Sequence, residues 1–236
     1  MPGERALVEL LRGSPERIRQ LYVIKGRSSP TIDELAAKAE IEVLRVDEET
    51  LAEVCAPALA RGMVAVASPP PEHTIEDLLE LPRLGERQIL IALDGVQDPH
   101  NLGAILRSAE FFGASGAIWP RDRAASVTPV AIRSSAGATE RLPLCRVTNL
   151  ARALDACKDA GYWVIGTVVE GGRAIREICA EDLPERLVIV LGSEEKGLRR
   201  LTRERCDFLA TIPRHGAIGS LNVSTAAAVA LAAFHV

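Results

Sequence analysis

From residue 89 onward, short apolar segments alternate with amphipathic segments of helical period, and this alternation constrains the fold more than any other feature. The apolar segments are Ile89–Leu93, Gly116–Trp119, Tyr162–Val169, Leu187–Leu191 and Phe208–Ile212. Such alternation predicts an α/β fold in which helices cover both faces of a parallel sheet. The last segment, Ser224–Phe234, is almost entirely Ala, Val and Leu, so we expect a helix that is buried on most sides.

The first 68 residues predict a separate, smaller α/β domain. Helical and strand signals alternate here as well, at Ala6–Leu11, Leu21–Ile24, Thr31–Ala39, Val43–Val46 and Met63–Val66. Three prolines then follow Ser68, and the charged stretch after them contains Pro82 and Gly85, which is typical of a linker. We therefore predict a small domain at 1–68, a linker at 69–88 and a second domain at 89–236.

Composition excludes several classes of protein. The chain has 236 residues, of which 47% are hydrophobic, which is enough for a sizeable core. No apolar run is long enough to cross a membrane, and Met1–Arg5 does not resemble a secretory signal, so we expect a cytoplasmic protein without membrane contact. The five cysteines form no Cys-x-x-Cys pair and the four histidines are scattered, so we expect reduced thiols and no metal site.

Basic residues are clustered although the net charge is −4. Three stretches carry mostly positive charge, at Arg12–Arg27, Arg121–Arg152 and Lys196–Arg205. Each stretch alone is typical of a solvated surface. Together they suggest contacts with the phosphates of a nucleic acid.

Three polar loops follow predicted strands, at Asp94–Asn101, Gly192–Gly197 and Pro213–Asn222. In a parallel sheet, binding sites lie at the carboxyl ends of the strands, so we expect a site there. Two common sites are excluded. No Gly-x-Gly-x-x-Gly follows a strand, and the Gly192–Gly197 loop has Leu198 where a phosphate-binding P-loop requires lysine.

The loops resemble the motifs of the SpoU/TrmH family of RNA 2′-O-ribose methyltransferases, especially the branch that acts on guanosine in bacterial 23S ribosomal RNA. The similar segments are Leu93–Ala109, Val190–Leu198 and Ile212–Ser224, with further similarity at Val147–Arg152 and Arg200–Glu204. The resemblance covers almost all of residues 89–236. More loosely, Pro15–Gly26 is similar to the family's substrate-binding domain, which resembles ribosomal proteins that bind RNA.

The resemblance implies a SPOUT trefoil-knot domain, a homodimer with its site near the interface, S-adenosyl-L-methionine as cofactor and RNA as partner. Ribosomal RNA is the expected substrate. Transfer RNA, or ribosomal RNA modified for antibiotic resistance, is an alternative because the motifs report cofactor and chemistry and do not identify the target. A non-catalytic RNA-binding factor for ribosome assembly is a further alternative. Methyl transfer to a hydroxyl requires no metal.

By resemblance, five residues are catalytic: Asn101, Arg107, Glu194, Ser220 and Asn222. Arg107 is the position that activates the hydroxyl, and because guanidinium stays protonated we expect an electrostatic role; the alternative is a solvated surface arginine. Asn101 would fix Arg107 or the ribose, or cap a helix. Glu194 would order the loops or the substrate, or be structural only. Ser220 and Asn222 would contact the cofactor and Arg107, or cap the last helix.

The resemblance also implies a set of cofactor contacts, made mainly by backbone groups: Thr167, Gly192, Ser193, Gly197, Ile212, Ser220 and Leu221. This chain departs from the family pattern at three positions in these loops, Glu195, Arg214 and Gly219. Where Glu195 stands the family usually has glycine, so we expect backbone strain and weaker cofactor binding if the position needs a positive φ. Arg214 is expected to add a contact to the RNA backbone.

Overall fold

The structure is a computed structural model that describes residues 1–82 and 87–235. Its N-terminal elements are α1 (Glu4–Gly13), β1 (Ile18–Ile24), α2 (Pro30–Lys38), β2 (Val43–Val46), α3 (Glu48–Val54), α4 (Pro57–Ala60) and β3 (Met63–Ala67). β1 lies between β2, to which it is parallel, and β3, to which it is antiparallel. Leu7 and Leu10 of α1 pack with Leu21 of β1 in a core of their own. The small α/β module predicted from the sequence is present.

The predicted linker contains a helix, α5 (Ile75–Glu80). Thr74 and Asp77 form a capping box, in which each side chain accepts a hydrogen bond from the other residue's backbone N–H. Leu78 is fully buried against the larger domain. Two helical turns are too short for a clear periodic signal, which is why the sequence shows only a charged stretch. Gly85 of the predicted linker lies outside the described residues.

The larger domain is built on a seven-stranded sheet. Its strands are β4 (Gln88–Asp94), β5 (Gly116–Pro120), β6 (Leu144–Val147), β7 (Trp163–Thr167), β8 (Arg173–Ala174), β9 (Arg186–Gly192) and β10 (Phe208–Thr211). The remaining helices are α6 (Pro99–Phe111), α7 (Pro129–Ser135), α8 (Leu150–Asp159), α9 (Ile175–Cys179), α10 (Arg200–Arg205) and α11 (Val223–Phe234). The strand order is β6-β5-β4-β9-β7-β10-β8, and neighbouring strands pair in parallel.

Both faces of this sheet are covered, as the alternation of segments predicted. Side chains of a strand point alternately to the two faces. Ile89 and Ile91 of β4 accordingly belong to the core formed with α6 and α11, whereas Leu90 belongs to the core formed with α5 and α8. Almost every residue of β4 is inaccessible to solvent, which is typical of a central parallel strand.

The last helix is buried on most sides, as its sequence predicts, and one side is exposed. α11 packs against α6, α9 and β9, and residues such as Ala227, Ala230 and Leu231 are fully buried. Thr225, Val229 and Ala232 are exposed, and their spacing places them along one side of the helix. The expectation of burial on most sides is therefore confirmed, and only the side with these three residues lacks a packing partner in the described part of the chain.

Arg17 connects the two domains through a buried ion pair. Its guanidinium lies 2.5 Å from Oε2 of Glu140, and the two side chains are only 11% and 2% exposed. The same guanidinium donates to the carbonyl of Ser68 at 2.9 Å, directly after β3. Other basic residues of the clusters also form ion pairs, for example Arg121 with Glu72 at 2.9 Å and Arg205 with Asp155 at 3.2 Å. These arginines therefore hold elements together.

The cysteines are free thiols. Burial raises the pKa of Cys145 to about 11 and the pKa values of Cys157 and Cys206 to about 12, so these thiols are weak nucleophiles at neutral pH. Over residues 1–82 and 87–235, no three His, Cys, Asp or Glu side chains come together as metal ligands. No helix in the same ranges has the length and apolar character that crossing a bilayer requires.

Candidate active site

The three polar loops meet at the carboxyl edge of the sheet. β4 and β9 are neighbours, and Asp94 at the end of β4 pairs with Gly192 at the end of β9. The loop after β4 therefore lies beside the loop after β9. The loop after β10 leads directly into α11, whose first turn faces the same edge through Asn222.

A cavity of about 480 Å³ opens between these loops. This volume lies in the range of small-molecule sites, about 300 to 1,000 Å³. The wall is mostly apolar and includes Val168, Val169 and Ile218. It also includes all seven residues predicted to contact the cofactor, which are Thr167, Gly192, Ser193, Gly197, Ile212, Ser220 and Leu221. Glu194 lines the cavity as well.

The loop after β10 offers its backbone to a ligand. In the described part of the chain, no N–H or C=O between Pro213 and Leu221 takes part in a backbone hydrogen bond. Ile218 is 82% exposed and Leu221 is 49% exposed, although both are large apolar residues. Backbone groups without backbone partners and exposed apolar side chains are the features expected where a partly polar ligand binds.

The loop after β9 is a tight turn closed by two backbone hydrogen bonds. Ser193 N–H donates to the carbonyl of Gly197 at 3.1 Å, and Gly197 N–H donates to the carbonyl of Ser193 at 2.9 Å. Gly197 has a φ of +61°, whereas Glu195 is not among the residues with positive φ. The expected strain at Glu195 is therefore wrong, because the left-handed conformation of this turn falls on Gly197 instead.

Position 192 requires glycine, because the turn brings the backbone of Gly197 very close to it. A Cβ atom on Gly192 would lie 2.3 Å from the carbonyl carbon of Gly197, which is backbone and unable to rotate away. We expect Gly192→Ala to displace the turn and to weaken cofactor binding by about 10-fold, since pocket contacts are worth about 1 to 3 kcal/mol each. The measurement is calorimetric titration with S-adenosylmethionine. Gly13→Ala is the control, because a Cβ there meets nothing within 4 Å and Gly13 lies in α1, outside the cavity wall.

Three of the predicted catalytic residues form one hydrogen-bonded chain across the loops. Asn101 Nδ2 donates to Oε1 of Glu194, and Asn222 Nδ2 donates to Oδ1 of Asn101 at 3.1 Å. The cap of α6 is Asp98, which accepts from His100 N–H at 2.8 Å, so the alternative that Asn101 caps this helix is wrong. Asn222 caps α11, as one of its two expected roles states, since its Oδ1 accepts from Ser224 N–H at 2.9 Å; its Nδ2 contacts Asn101 and not Arg107.

Ser220 and Arg107 stand apart from this chain of hydrogen bonds. Ser220 lines the cavity. Arg107 is exposed on α6, and its side chain makes no hydrogen bond or ion pair with the described residues. Arg107 lies six positions after Asn101, which on an α-helix corresponds to about 9 Å along the helix axis and about 120° around that axis. Within one chain, therefore, Asn101 contacts Glu194 and Asn222 and does not fix Arg107.

Arg214 joins two walls of the cavity, a role that the sequence did not indicate. Its Nη1 donates to the carbonyl of Gly219 at 3.0 Å, and its Nη2 lies 3.3 Å from Oε1 of Glu170. The wall residues Val168 and Val169 were also missed, because the apolar run through Val169 predicted a longer strand. β7 ends at Thr167, and the next residues turn into the cavity wall.

Family comparisons agree with this geometry. Residues 88–232 match the SpoU rRNA Methylase family, and residues 2–73 match the family described as RNA 2′-O ribose methyltransferase substrate binding. Among solved structures, the SpoU methyltransferase AviRb from Streptomyces viridochromogenes in complex with AdoMet has a TM-score of 0.78 and 27% identity, covering 98% of this chain and 87% of that one. An AdoMet-bound rRNA methyltransferase from Sinorhizobium meliloti has a TM-score of 0.80 and 25% identity, with 99% and 85% coverage.

Curated relatives match over nearly the full length. The chain is 43% identical to the 23S rRNA (guanosine-2′-O-)-methyltransferase RlmB of Pseudomonas putida, over 97% of this chain and 92% of that protein. It is 39% identical to the protein of the same name from Salmonella typhimurium, over 97% and 94%. With the family match over more than half of its residues and the cavity formed by the three motif loops, this chain belongs to the SpoU rRNA methylase family.

Proposed function

We propose that this protein transfers a methyl group from S-adenosylmethionine to the ribose 2′-hydroxyl of a guanosine in 23S ribosomal RNA. The observation that carries the proposal is the cavity, in which all seven predicted cofactor residues lie together beside the chain of hydrogen bonds through Asn101. The proposed substrate is the one in the names of the relatives, whose sequences align with 97% of this chain.

The residues of the cavity fit S-adenosylmethionine. Backbone groups between Pro213 and Leu221 have no backbone partners in the described structure, so they offer donors and acceptors at fixed positions for an adenine edge. Apolar side chains such as Val169 and Ile218 would cover the flat faces of the base. When bound, S-adenosylmethionine supplies an electrophilic methyl group.

The residues of the chain would orient the ribose and stabilise the charge on its oxygen. Glu194 accepts a hydrogen bond from Asn101, which fixes both side chains at the edge of the cavity. A guanidinium group carries a positive charge, so the role of Arg107 is to stabilise negative charge that develops on the 2′-oxygen. Its lack of partners in the described structure leaves the guanidinium free to bind substrate.

The N-terminal domain would hold the RNA, as its match to the substrate-binding family suggests. We propose a division into this domain at 1–68, a connecting segment at 69–88 and the catalytic domain at 89–236. Several exposed basic residues form no ion pair with the described residues and can contact phosphates, namely Arg19, Arg61, Lys196 and Arg203. A ribosomal RNA substrate places the protein in the cytoplasm.

A second copy of the chain would complete the assembly. Phe111 on α6 is 77% exposed and Val229 on α11 is 37% exposed, and these helices pack against each other. Exposed apolar side chains on adjoining helices are typical of an interface between subunits. We propose a homodimer through this face, which brings Arg107 to the boundary between copies. Sedimentation is expected to give twice the chain mass of 25.3 kDa, and the mass of one chain would contradict the dimer.

The implied trefoil knot also belongs to this proposal. β9 lies between β4 and β7 in the sheet although it follows both in the chain. The segment that contains β9, β10 and α11 therefore returns to the middle of the sheet. There it lies between strands that come earlier in the chain. We propose that it threads an earlier loop there.

Cofactor binding distinguishes the enzyme from a non-catalytic RNA-binding factor of the same fold. Calorimetric titration of the full chain with S-adenosylmethionine should give one binding site per chain. Binding of RNA without any binding of S-adenosylmethionine would support the assembly factor and contradict the enzyme.

A further inference from the structure

Asp94 is a buried carboxylate at the carboxyl end of β4. Its side chain is 0% exposed. Oδ2 accepts a hydrogen bond from the backbone N–H of Arg199 at 2.7 Å. Oδ1 lies 3.5 Å from Nε of Arg199 and has no hydrogen-bond partner in the described part of the chain. Both oxygens of Asp94 are thus directed at one residue, Arg199.

Such a carboxylate is costly to bury. An ionised group removed from water loses several kcal/mol of hydration, and a well-packed apolar residue is often at least as stable at such a position. A buried oxygen without a hydrogen bond adds to the cost and calls for an explanation. Stability of the sheet therefore does not account for Asp94.

The location of Asp94 relates it to the turn after β9. Asp94 pairs with Gly192 in the sheet, so the turn begins beside Asp94. Arg199 follows the turn, so the turn also ends on Asp94. Between these points lie Ser193, Glu194 and Gly197, which line the cavity. Asp94 thereby contacts both ends of the segment that forms this part of the cavity wall.

Gly95, which follows Asp94, lies directly beside the turn. It has a φ of +86°, and a Cβ there would lie 3.5 Å from Nη2 of Arg199 and 3.7 Å from Cβ of Ser193. The end of β4 therefore packs directly beneath the turn. The contact between Asp94 and Arg199 is part of a continuous packed layer under the cavity wall.

We propose that Asp94 is a positioning residue, which holds the segment from Gly192 to Arg199 in the conformation that binds the cofactor. This inference rests on the proposed function. Asp94 acts mainly through the backbone N–H of Arg199, because this hydrogen bond is 2.7 Å long and the accepting carboxylate is buried. The Arg199 side chain contributes less, because it is 48% exposed and its Nε lies 3.5 Å from the carboxylate.

Two substitutions of Arg199 separate these contributions. Arg199→Ala removes the guanidinium and keeps the N–H. Arg199→Pro removes the N–H, and its backbone is compatible because Arg199 has a φ of −63°, close to the value that proline fixes. Asp94→Asn keeps an oxygen acceptor and removes the charge that strengthens the hydrogen bond.

Asp207 provides the matched control. It also accepts a backbone hydrogen bond, from Val164 N–H at 2.8 Å, and it forms an ion pair with Lys158 at 2.7 Å. It precedes β10 and contacts the first part of β7, so it lies at the amino ends of the strands, away from the cavity. Asp207→Asn therefore alters another carboxylate that accepts a backbone hydrogen bond, one that is 28% exposed, without touching the cavity wall.

The experiment measures the dissociation constant of S-adenosylmethionine by calorimetry, KM and kcat for methyl transfer, and thermal unfolding for each full-length variant. We expect Asp94→Asn and Arg199→Pro to raise the dissociation constant and KM for S-adenosylmethionine by about 10-fold or more, with kcat within about twofold of wild type. Arg199→Ala and Asp207→Asn should change the dissociation constant by less than about threefold.

Two results would overturn the inference. One is wild-type affinity in both Asp94→Asn and Arg199→Pro. The other is an effect of Asp207→Asn on affinity as large as that of Asp94→Asn, which would mean a general loss of stability. If Asp94→Asn does not fold, Arg199→Pro against Arg199→Ala decides the question. If wild-type protein binds no S-adenosylmethionine, the proposed function fails instead.

Discussion

The Arg107→Ala variant is expected to lose at least about 100-fold of methyl-transfer activity while binding S-adenosylmethionine as wild type does. Removing one preorganised group that stabilises developing charge typically costs this much in kcat. Arg107 does not line the cavity of its own chain, so its loss should leave the cofactor contacts intact. The measurements are transfer of labelled methyl groups to RNA and calorimetric titration with the cofactor.

A control variant separates this effect from a general loss of positive charge. Arg152 is also an exposed helical arginine whose side chain forms no ion pair in the described structure, but it lies on α8, which covers the other face of the sheet. Arg152→Ala should retain activity within a few-fold of wild type. Normal turnover in Arg107→Ala would show that Arg107 is only a solvated surface residue.

The Arg17→Met variant is expected to lower the free energy of unfolding by about 3 kcal/mol. The substitution leaves the carboxylate of Glu140 buried, 2% exposed, without its cationic partner. It also removes the hydrogen bond that the Arg17 guanidinium donates to Ser68. Since the ion pair between Arg17 and Glu140 joins the two domains, we expect the contact between domains to open first. Urea unfolding followed by circular dichroism, together with limited proteolysis near residue 68, measures both effects.

Two comparisons test the cause of this destabilisation. The double variant Arg17→Met, Glu140→Leu removes both charges and should recover part of the lost stability, because no uncompensated charge remains buried. Arg200→Ala breaks a pair whose arginine is 77% exposed and should change stability by less than about 1 kcal/mol. An Arg17→Met protein as stable as wild type would mean that Arg17 does not hold the domains together.

The fold was predictable where long apolar patterns determine it. Alternating segments were sufficient to predict the parallel sheet and its cover on both faces. β6 and β8 were not predicted, and β8, of two residues, is too short to show a periodic pattern. Which side of α11 would be exposed was also not predictable from its sequence. The apolar sequence of a helix indicates that its sides are shielded from water. It does not indicate whether the packing partner that shields them belongs to the same chain.

The site was predictable residue by residue only through motif resemblance. Strand ends and polar loops indicated where a site lies, and the resemblance selected the seven residues that line one cavity. The hydrogen-bonded partners of Asn101 depend on how three loops meet, which separations of 93 and 121 residues in the chain do not encode locally. The contacts of Arg214 and Asp94 were missed for the same reason.

Mapping of ribose 2′-O-methylation across total RNA tests the central claim most directly. In a strain that lacks this protein, we predict that one guanosine of 23S ribosomal RNA loses its 2′-O-methyl group. Purified protein with S-adenosylmethionine should restore the group on the unmodified RNA, and the Arg107→Ala variant should not. An unchanged methylation pattern in 23S ribosomal RNA, or a loss confined to transfer RNA, would contradict the proposed function.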